Sequence, residues 1–250
     1  MDAPSFAIRP YAADDKKLAL FMISKANFQS LAVANNKTYA HPLTIAVWLG
    51  LTSIFIQSMS WWPSGELGWI GYLKPFPAIA SMAVPILFAV DWINRPYFED
   101  LTQEILRFGD LKDIDKYYSK NPASGFWIID SGQVFVGLIA IDATQPTTKL
   151  PKGETRGPRT AVIRHFHVEE AYHTTGIQDD LLKCAVDHAF NNDPKLERIE
   201  ASDSPLVSYL RPSLRSAGFE LDHHTKSIGI LRWKLGKRYL ERSKWAQGTK

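Results

Sequence analysis

Between Thr38 and Gly65 the chain carries no Asp, Glu, Lys or Arg. A stretch of that length without charge belongs inside a protein core or inside a lipid bilayer. Its centre, Leu43 to Trp62 (LTIAVWLGLTSIFIQSMSWW), has 20 residues, which as a helix would span about 30 Å at ~1.5 Å per residue. A second apolar run, Pro75 to Val90 (PFPAIASMAVPILFAV), lies between Lys74 and Asp91. It is short for a span, although Lys74 can snorkel to lengthen it. Pro77 and Pro85 are expected to bend or break it. Trp61-Trp62 followed by Pro63-Ser64-Gly65 favours a helical hairpin over residues 42–92. A pair of buried core helices is the alternative at these lengths.

Five of the eight tryptophans (Trp48, Trp61, Trp62, Trp69 and Trp92) fall in this region, as an interfacial aromatic belt requires. The hairpin begins too far into the chain for a secretory signal, and no small-residue cleavage site follows the first run. Lys25 and Lys37 precede it, Arg95 and Arg107 follow it, and the loop between the runs holds Lys74. That cation bias puts both termini in the cytosol.

The rest of the composition is that of an ordinary globular protein. The 250 residues include 29 Lys+Arg and 26 Asp+Glu, for a formal charge of +3. Global disorder is excluded by a hydrophobic share of 45%. So small a net charge gives no reason to expect nucleic acid. Cys184 is the only cysteine, so an intrachain disulfide and a thiolate-rich metal site are both excluded.

Outside the hairpin, short elements alternate. Phe6–Tyr11 reads as a strand stopped by Pro10, and Asp14 or Asp15 is expected to cap a helix with Leu18, Phe21, Met22, Phe28 and Leu31 on its apolar face. Arg95-Pro96-Tyr97 is expected to start another helix, and residues 113–118 a helical turn. Strands 126–130 and 133–141 flank Ser131-Gly132 as a β-hairpin. Residues 144–159 read as a loop. A strand at 160–168, a helix at 176–190, a strand at 198–201, a helix at 205–217 and strands at 219–223 and 228–235 follow. The basic tail at 236–250 reads as a solvated end.

That order resembles the GNAT acetyltransferase fold. The segment AVIRHFHVEEAYHTTGIQDDLLKCAVDHAF, residues 161–190, is similar to that family's strand, acidic corner, phosphate-binding turn and cofactor helix. Ser216-Ala217-Gly218-Phe219 resembles its closing "GF". A membrane hairpin inserted after the first helix is similar to the membrane-bound cysteine-conjugate N-acetyltransferase relatives. The RPYFEDLTQ and NPASGFWI segments give the chain the look of the fungal ER phosphate-transporter packaging factor family. The resemblance therefore implies an α+β fold: a mixed, mostly antiparallel sheet flanked by helices and interrupted by a two-helix transmembrane hairpin. Residues 1–36 and 93–235 would make the GNAT-like domain.

It also implies a site. Acetyl-CoA pyrophosphate would meet the turn His173, Thr174, Thr175, Gly176, Ile177 and Gln178, where backbone N–H groups and the helix dipole favour anions. Only Gly176 matches a glycine of the family's pattern Q/R-x-x-G-x-G/A. Backbone groups of the strand, including Phe166 and Val168, would face the thioester. Glu169 or Glu170 would act as base, their bland reading being solvated turn carboxylates. The family's acid tyrosine, four residues before the "GF" glycine, falls here on Leu214, and Tyr209 lies about a turn earlier. His165 and His167 share a strand face, but with no third ligand at useful spacing no metal is expected.

Two functions follow from the resemblance. The first is an ER-membrane protein acting mainly by binding, with a membrane transporter as its cargo. The second is a membrane-anchored N-acetyltransferase moving acetyl from acetyl-CoA to an amine.

Overall fold

A computed structural model describes residues 6–132, 134–144 and 158–248. The expected loop at 144–159 lies almost wholly outside them. The chain forms two compact units. One holds the described residues up to Asn27, Thr102–Ser227 and those from Trp233 onward, and the other holds Phe28–Leu101 and Ile228–Arg232.

The first unit is built on a seven-stranded sheet in the order β1-β2-β3-β4-β5-β7-β6. The strands are β1 (Phe6–Pro10), β2 (Gly125–Ser131), β3 (Val134–Asp142), β4 (Thr160–Val168), β5 (Arg198–Asp203), β6 (Glu220–Ile228) and β7 (Trp233–Glu241). Among the described pairings only β4–β5 is parallel, the others being antiparallel. This is the mixed, mostly antiparallel sheet flanked by helices that the sequence leads one to expect.

Alternation along β2 shows how both faces are buried. Trp127 and Ile129 point into one core, and Phe126 and Ile128 into the other. The first core is covered by α5 (Ile177–Asn192), which contributes Leu181, Leu182, Ala185, Val186, Ala189 and Phe190. The second is covered by the start of α1 (Lys16–Tyr39) and by α4 (Ile114–Tyr118), through Ala19, Met22, Ile23, Ile114 and Tyr118. Asp113 caps α4 by accepting from the Lys116 N–H.

Several expectations are corrected. Asp15 is not the cap of α1. It sits in a preceding 3-10 turn, where it accepts the Ala12 N–H and two bonds from Arg9. Leu18, Phe21 and Phe28 are exposed, and α1 buries Ala19, Met22, Ile23, Leu31 and Ala34 instead. No new helix begins at Arg95, because α3 (Phe76–Arg107) runs unbroken through Pro85 and Pro96. Each proline removes one backbone bond, whereas a break in an apolar run would bare several. Helix α6 (Leu210–Ser216) is shorter than the expected 205–217. Strands β6 and β7 fall at 220–228 and 233–241 rather than 219–223 and 228–235.

The expected solvated tail is structural. β7 extends through Lys237–Glu241, and α7 (Arg242–Gly248) follows. Arg238 is buried and donates to Asp203 and to the Phe219 carbonyl. Arg242 donates to the Phe190 carbonyl in the last turn of α5 and to those of Asp193 and Leu196 beyond it, satisfying acceptors the helix cannot.

The second unit inverts the usual surface. In α2 (Pro42–Met59) only Thr52 and Ile56 are buried, while Leu43, Leu49, Leu51 and Ile54 face outward. α3 likewise exposes Phe76, Val84, Leu87, Phe88 and Trp92. By length and composition both helices can cross a membrane. Ser60, in the left-handed region, ends α2. The Trp48 indole N–H donates to the Ile79 carbonyl, joining α2 to α3. At the other end of the pair, Asn94 is fully buried and donates to Asn35, which donates to Asp91.

Candidate active site

The site is set by where β4 leaves its neighbours. Pairing with β5 runs from Thr160↔Arg198 to Ile163↔Ala201 and stops there. On the other side the β3 register slips between Ala140↔His165 and Ile141↔Ile163, so Arg164 is an extra, bulged residue. The bulge puts His165 and His167 on the face of Ala140 and Leu138, and Phe166 and Val168 on the opposite one. Beyond Ile163 the β5-facing edge of β4 has no strand partner.

Tyr209 fills that gap. Its hydroxyl accepts from the Val168 N–H at 3.1 Å and donates to the Phe166 carbonyl at 3.2 Å. The ring packs edge-on against Phe166 and lies 4.4 Å from the His173 ring. Burial raises the pKa of this phenol, opposed by the Val168 hydrogen bond, so the hydroxyl keeps its proton at neutral pH. His173 Nε2 completes the set, 2.8 Å from the Val168 carbonyl.

Charge gathers on the other face at the end of β4. Glu169 is half-buried and accepts from Lys25 Nζ at 2.7 and 2.8 Å. His167 Nε2 is 3.8 Å from Glu169 Oε1. That nitrogen is buried and has no hydrogen-bond partner. Burial, with Lys25 and His173 nearby, outweighs the pull of Glu169 and lowers the His167 pKa to about 4. The ring is therefore neutral at physiological pH. Glu170 is exposed, and only its carbonyl is engaged, by the His173 N–H.

The turn into α5 stands beside this cluster. Gly176 is its N-cap at φ 81°, and a Cβ there would meet nothing within 4 Å. This left-handed geometry favours glycine. The N–H groups of Gly176, Ile177 and Gln178 take no partner among the described residues, as the first turn of a helix requires. Those donors and the open space at Gly176 fit an anion such as a pyrophosphate. Its charge is less suitable, since exposed Asp179 and Asp180 already occupy the first turn. Gln178 is buried, with its amide donating back to the His173 carbonyl at 3.1 Å. Thr174 is exposed, and the Thr175 hydroxyl donates to the Tyr172 carbonyl.

The structure thus gathers Phe166, Val168, His173 and Gln178 around Tyr209 and the turn at Gly176–Ile177, sets Glu169 with Lys25 on the other face, and leaves Glu170 exposed. Sequence reasoning misses Lys25, which lies 144 positions from Glu169 with no local signal for the pairing. Leu214, where the family acid falls, is a fully buried core residue. His165 does not join His167. It lies 2.8 Å from Asp110, which also accepts from the Tyr118 hydroxyl at 2.8 Å. Burial raises the Asp110 pKa, but His165, Tyr118 and Arg164 outweigh it and hold the carboxyl below its ordinary value. Among the described residues no three His, Cys, Asp or Glu side chains assemble into a metal-holding group. His223 pairs with Asp222 on the exposed strand β6.

No family model and no curated protein match this chain. Among solved structures it is similar to a spermidine N-acetyltransferase from Vibrio cholerae in complex with CoA and spermine, at 11% identity and TM-score 0.48, covering 96% of this chain and 98% of that one. It is also similar to a GNAT-family acetyltransferase from Streptococcus pneumoniae, at 11% identity and TM-score 0.43, over 52% of this chain and 74% of that one. A Salmonella typhimurium structure holding acetyl-CoA as its cofactor aligns at 14% identity and TM-score 0.40, over 54% and 75%. With TM-scores of 0.48 and below, these likenesses add nothing to what the strand order says of the fold.

Proposed function

We propose that this is a membrane-anchored N-acetyltransferase that moves acetyl from acetyl-CoA to an amine on the cytosolic side, with α2 and α3 as its anchor. The observation that carries the reading is the convergence at the end of β4. A protonated phenol (Tyr209), a carboxylate (Glu169) and unpartnered helix N–H groups (Gly176, Ile177 and Gln178) meet within a few residues of one strand. Acyl transfer to an amine needs a base, an acid and an anion seat.

Acetyl-CoA, when bound, supplies an activated carbonyl and a thiolate leaving group. The N–H groups of Gly176, Ile177 and Gln178 would hold its pyrophosphate. Lys25 holds the Glu169 carboxylate in place by pairing with it, and Glu169 accepts a proton there from an incoming ammonium, becoming neutral. His167, neutral and 3.8 Å from Glu169, adds no positive charge beside that carboxylate. Tyr209 holds a proton at Oη for the departing side. The test is calorimetric titration of the detergent-solubilised full-length protein with acetyl-CoA, followed by an amine screen. Micromolar binding with acetyl transfer is expected, and no binding at millimolar acetyl-CoA overturns the reading.

A second reading is favoured by how fully the edge of β4 is satisfied. Tyr209 occupies Val168 and Phe166, His173 occupies the Val168 carbonyl, and Gln178 draws the turn inward. A protein of this fold that works by binding, like the ER phosphate-transporter packaging factor it resembles, would leave its site closed in this way. In that case, deleting its gene leaves a plasma-membrane phosphate transporter in internal membranes. Normal delivery in such a strain overturns it.

A further inference from the structure

We propose that the β6–β7 turn, Gly229–Arg232, is a third membrane contact, seated in the interfacial layer of the bilayer at the cytosolic base of the α2–α3 hairpin. This rests on the reading that α2 and α3 span a membrane.

The turn belongs to the same compact unit as the hairpin. Its Ile230 N–H donates to the Asn94 side-chain oxygen at 2.9 Å. Asn94 is fully buried and tied through Asn35 to Asp91, so the turn is held by a fixed group. Asn94 follows Val90, the last residue of the apolar run, by four positions. At ~1.5 Å per residue that places the anchor about 6 Å beyond the hydrocarbon end of the span. Trp92, Ile93 and Tyr97, exposed around that level of α3, are the aromatic and apolar side chains expected at the headgroup boundary.

The chemistry of the turn fits the same level. β6 is polar along nearly its whole exposed length, from Glu220 through Asp222, His223, His224 and Lys226. At its tip the pattern reverses to Ile230-Leu231-Arg232. Ile230 is 42% exposed, in a position where turns ordinarily carry polar residues. Gly229 and Arg232 both have positive φ, at 69° and 51°, and the Arg232 N–H donates to the Gly229 carbonyl at 3.1 Å. A non-glycine residue in the left-handed region marks a backbone shape held by its surroundings. An apolar pair followed by an exposed arginine suits the boundary between acyl chains and anionic headgroups.

The test uses the full chain in phosphatidylcholine–phosphatidylserine vesicles, with Cys184→Ala removing the native thiol. The single-cysteine variants Ile230→Cys, Leu51→Cys and Leu221→Cys each carry an environment-sensitive fluorophore, read against shallow and deep spin-labelled lipids. Leu51 lies midway along α2, and Leu221 is exposed on β6. The label of Ile230→Cys is expected to emit blue-shifted and to lose intensity to the shallow quencher. The label of Leu51→Cys should lose intensity to the deep quencher, and that of Leu221→Cys should stay water-like. Leu231→Cys is the replacement if Ile230→Cys fails to fold, and its label should behave in the same way. Water-like emission from Ile230→Cys with quenching of Leu51→Cys overturns the turn contact alone. Water-like emission from both overturns the membrane reading with it. Equal quenching of Ile230→Cys and Leu221→Cys also overturns the proposal, since the contact would not be confined to the turn.

Discussion

Tyr209→Phe removes one oxygen and leaves the ring in place against Phe166 and His173. The oxygen serves two backbone groups, the N–H of Val168 at 3.1 Å and the carbonyl of Phe166 at 3.2 Å. Val168 is fully buried and Tyr209 only 6% exposed, so neither group gains easy access to water. Stranding each buried polar group costs about 1–3 kcal/mol, so losing both partners costs about 2–6 kcal/mol. For a protein of this size each kcal/mol moves the unfolding midpoint by roughly 2–4 °C, giving a drop of about 4–24 °C. Thermal unfolding by near-UV circular dichroism in one detergent measures it, and an unchanged midpoint refutes the bridging role of the hydroxyl. The same variant tests the chemistry. If Tyr209 donates a proton, kcat falls by ~10²–10⁴ while the KM for acetyl-CoA holds. If the hydroxyl only closes the edge of β4, freeing Val168 and Phe166 tightens acetyl-CoA binding instead. A wild-type kcat refutes the acid role.

Three further outcomes are expected. His167 has its pKa lowered to about 4 from an ordinary value near 6.5, so the unfolded chain binds that proton first. Its contribution to stability is complete above pH 6.5 and is lost as the pH falls to about 4, by at most ~3 kcal/mol; His167→Gln should flatten that slope in urea titrations. Gly137→Ala would place a Cβ 2.6 Å from the His167 carbonyl oxygen, forcing β3 and β4 apart beside the site. A loss of about 1–3 kcal/mol by denaturant titration is expected, and a neutral result refutes the close approach. Asp179→Asn with Asp180→Asn should raise acetyl-CoA affinity by roughly 3–30-fold in calorimetry while lowering the midpoint of unfolding.

How much of this was legible depends on how local the cause is. The β2–β3 hairpin is written in its own residues, as two continuous apolar runs around Ser131-Gly132, and Gly132 adopts the positive φ that turn needs. β4 is visible for the same reason, but its bulge at Arg164 is not, because the register slip belongs to the pairing with β3. The position of Tyr209 is hidden behind a helix boundary. Counting along one helix from Pro205 puts Pro212 in its interior, where the ring would cost a backbone bond. Starting α6 at Leu210 puts Pro212 in the first turn, where no bond is lost, and leaves Tyr209 at the N-cap. The basic tail misled for another reason. Composition counts Arg238 and Arg242 as charges, while the fold uses buried Arg238 as a donor to Asp203 and half-buried Arg242 as a donor to carbonyls at and after the end of α5.

The two readings of the site differ in which feature limits ligand binding, and magnitudes separate them. Asp179 and Asp180 are exposed in the first turn of α5. Each stabilises the helix by ~0.3–1 kcal/mol through the macrodipole, which is interaction an incoming pyrophosphate would otherwise gain. Together they weaken an anion by about 3–30-fold, enough to move a micromolar site to tens of micromolar but not to abolish it. The edge of β4 is a larger obstacle. A ligand that pairs with Phe166 and Val168 must displace the Tyr209 hydroxyl from both, and must then satisfy a buried phenol that loses two partners at once. That exchange is neutral only if the ligand restores every bond it breaks, since each group left unpaired costs about 1–3 kcal/mol. The degenerate phosphate turn is therefore compatible with either function. Whether Tyr209 yields to a ligand is what divides a transferase from a protein that only binds.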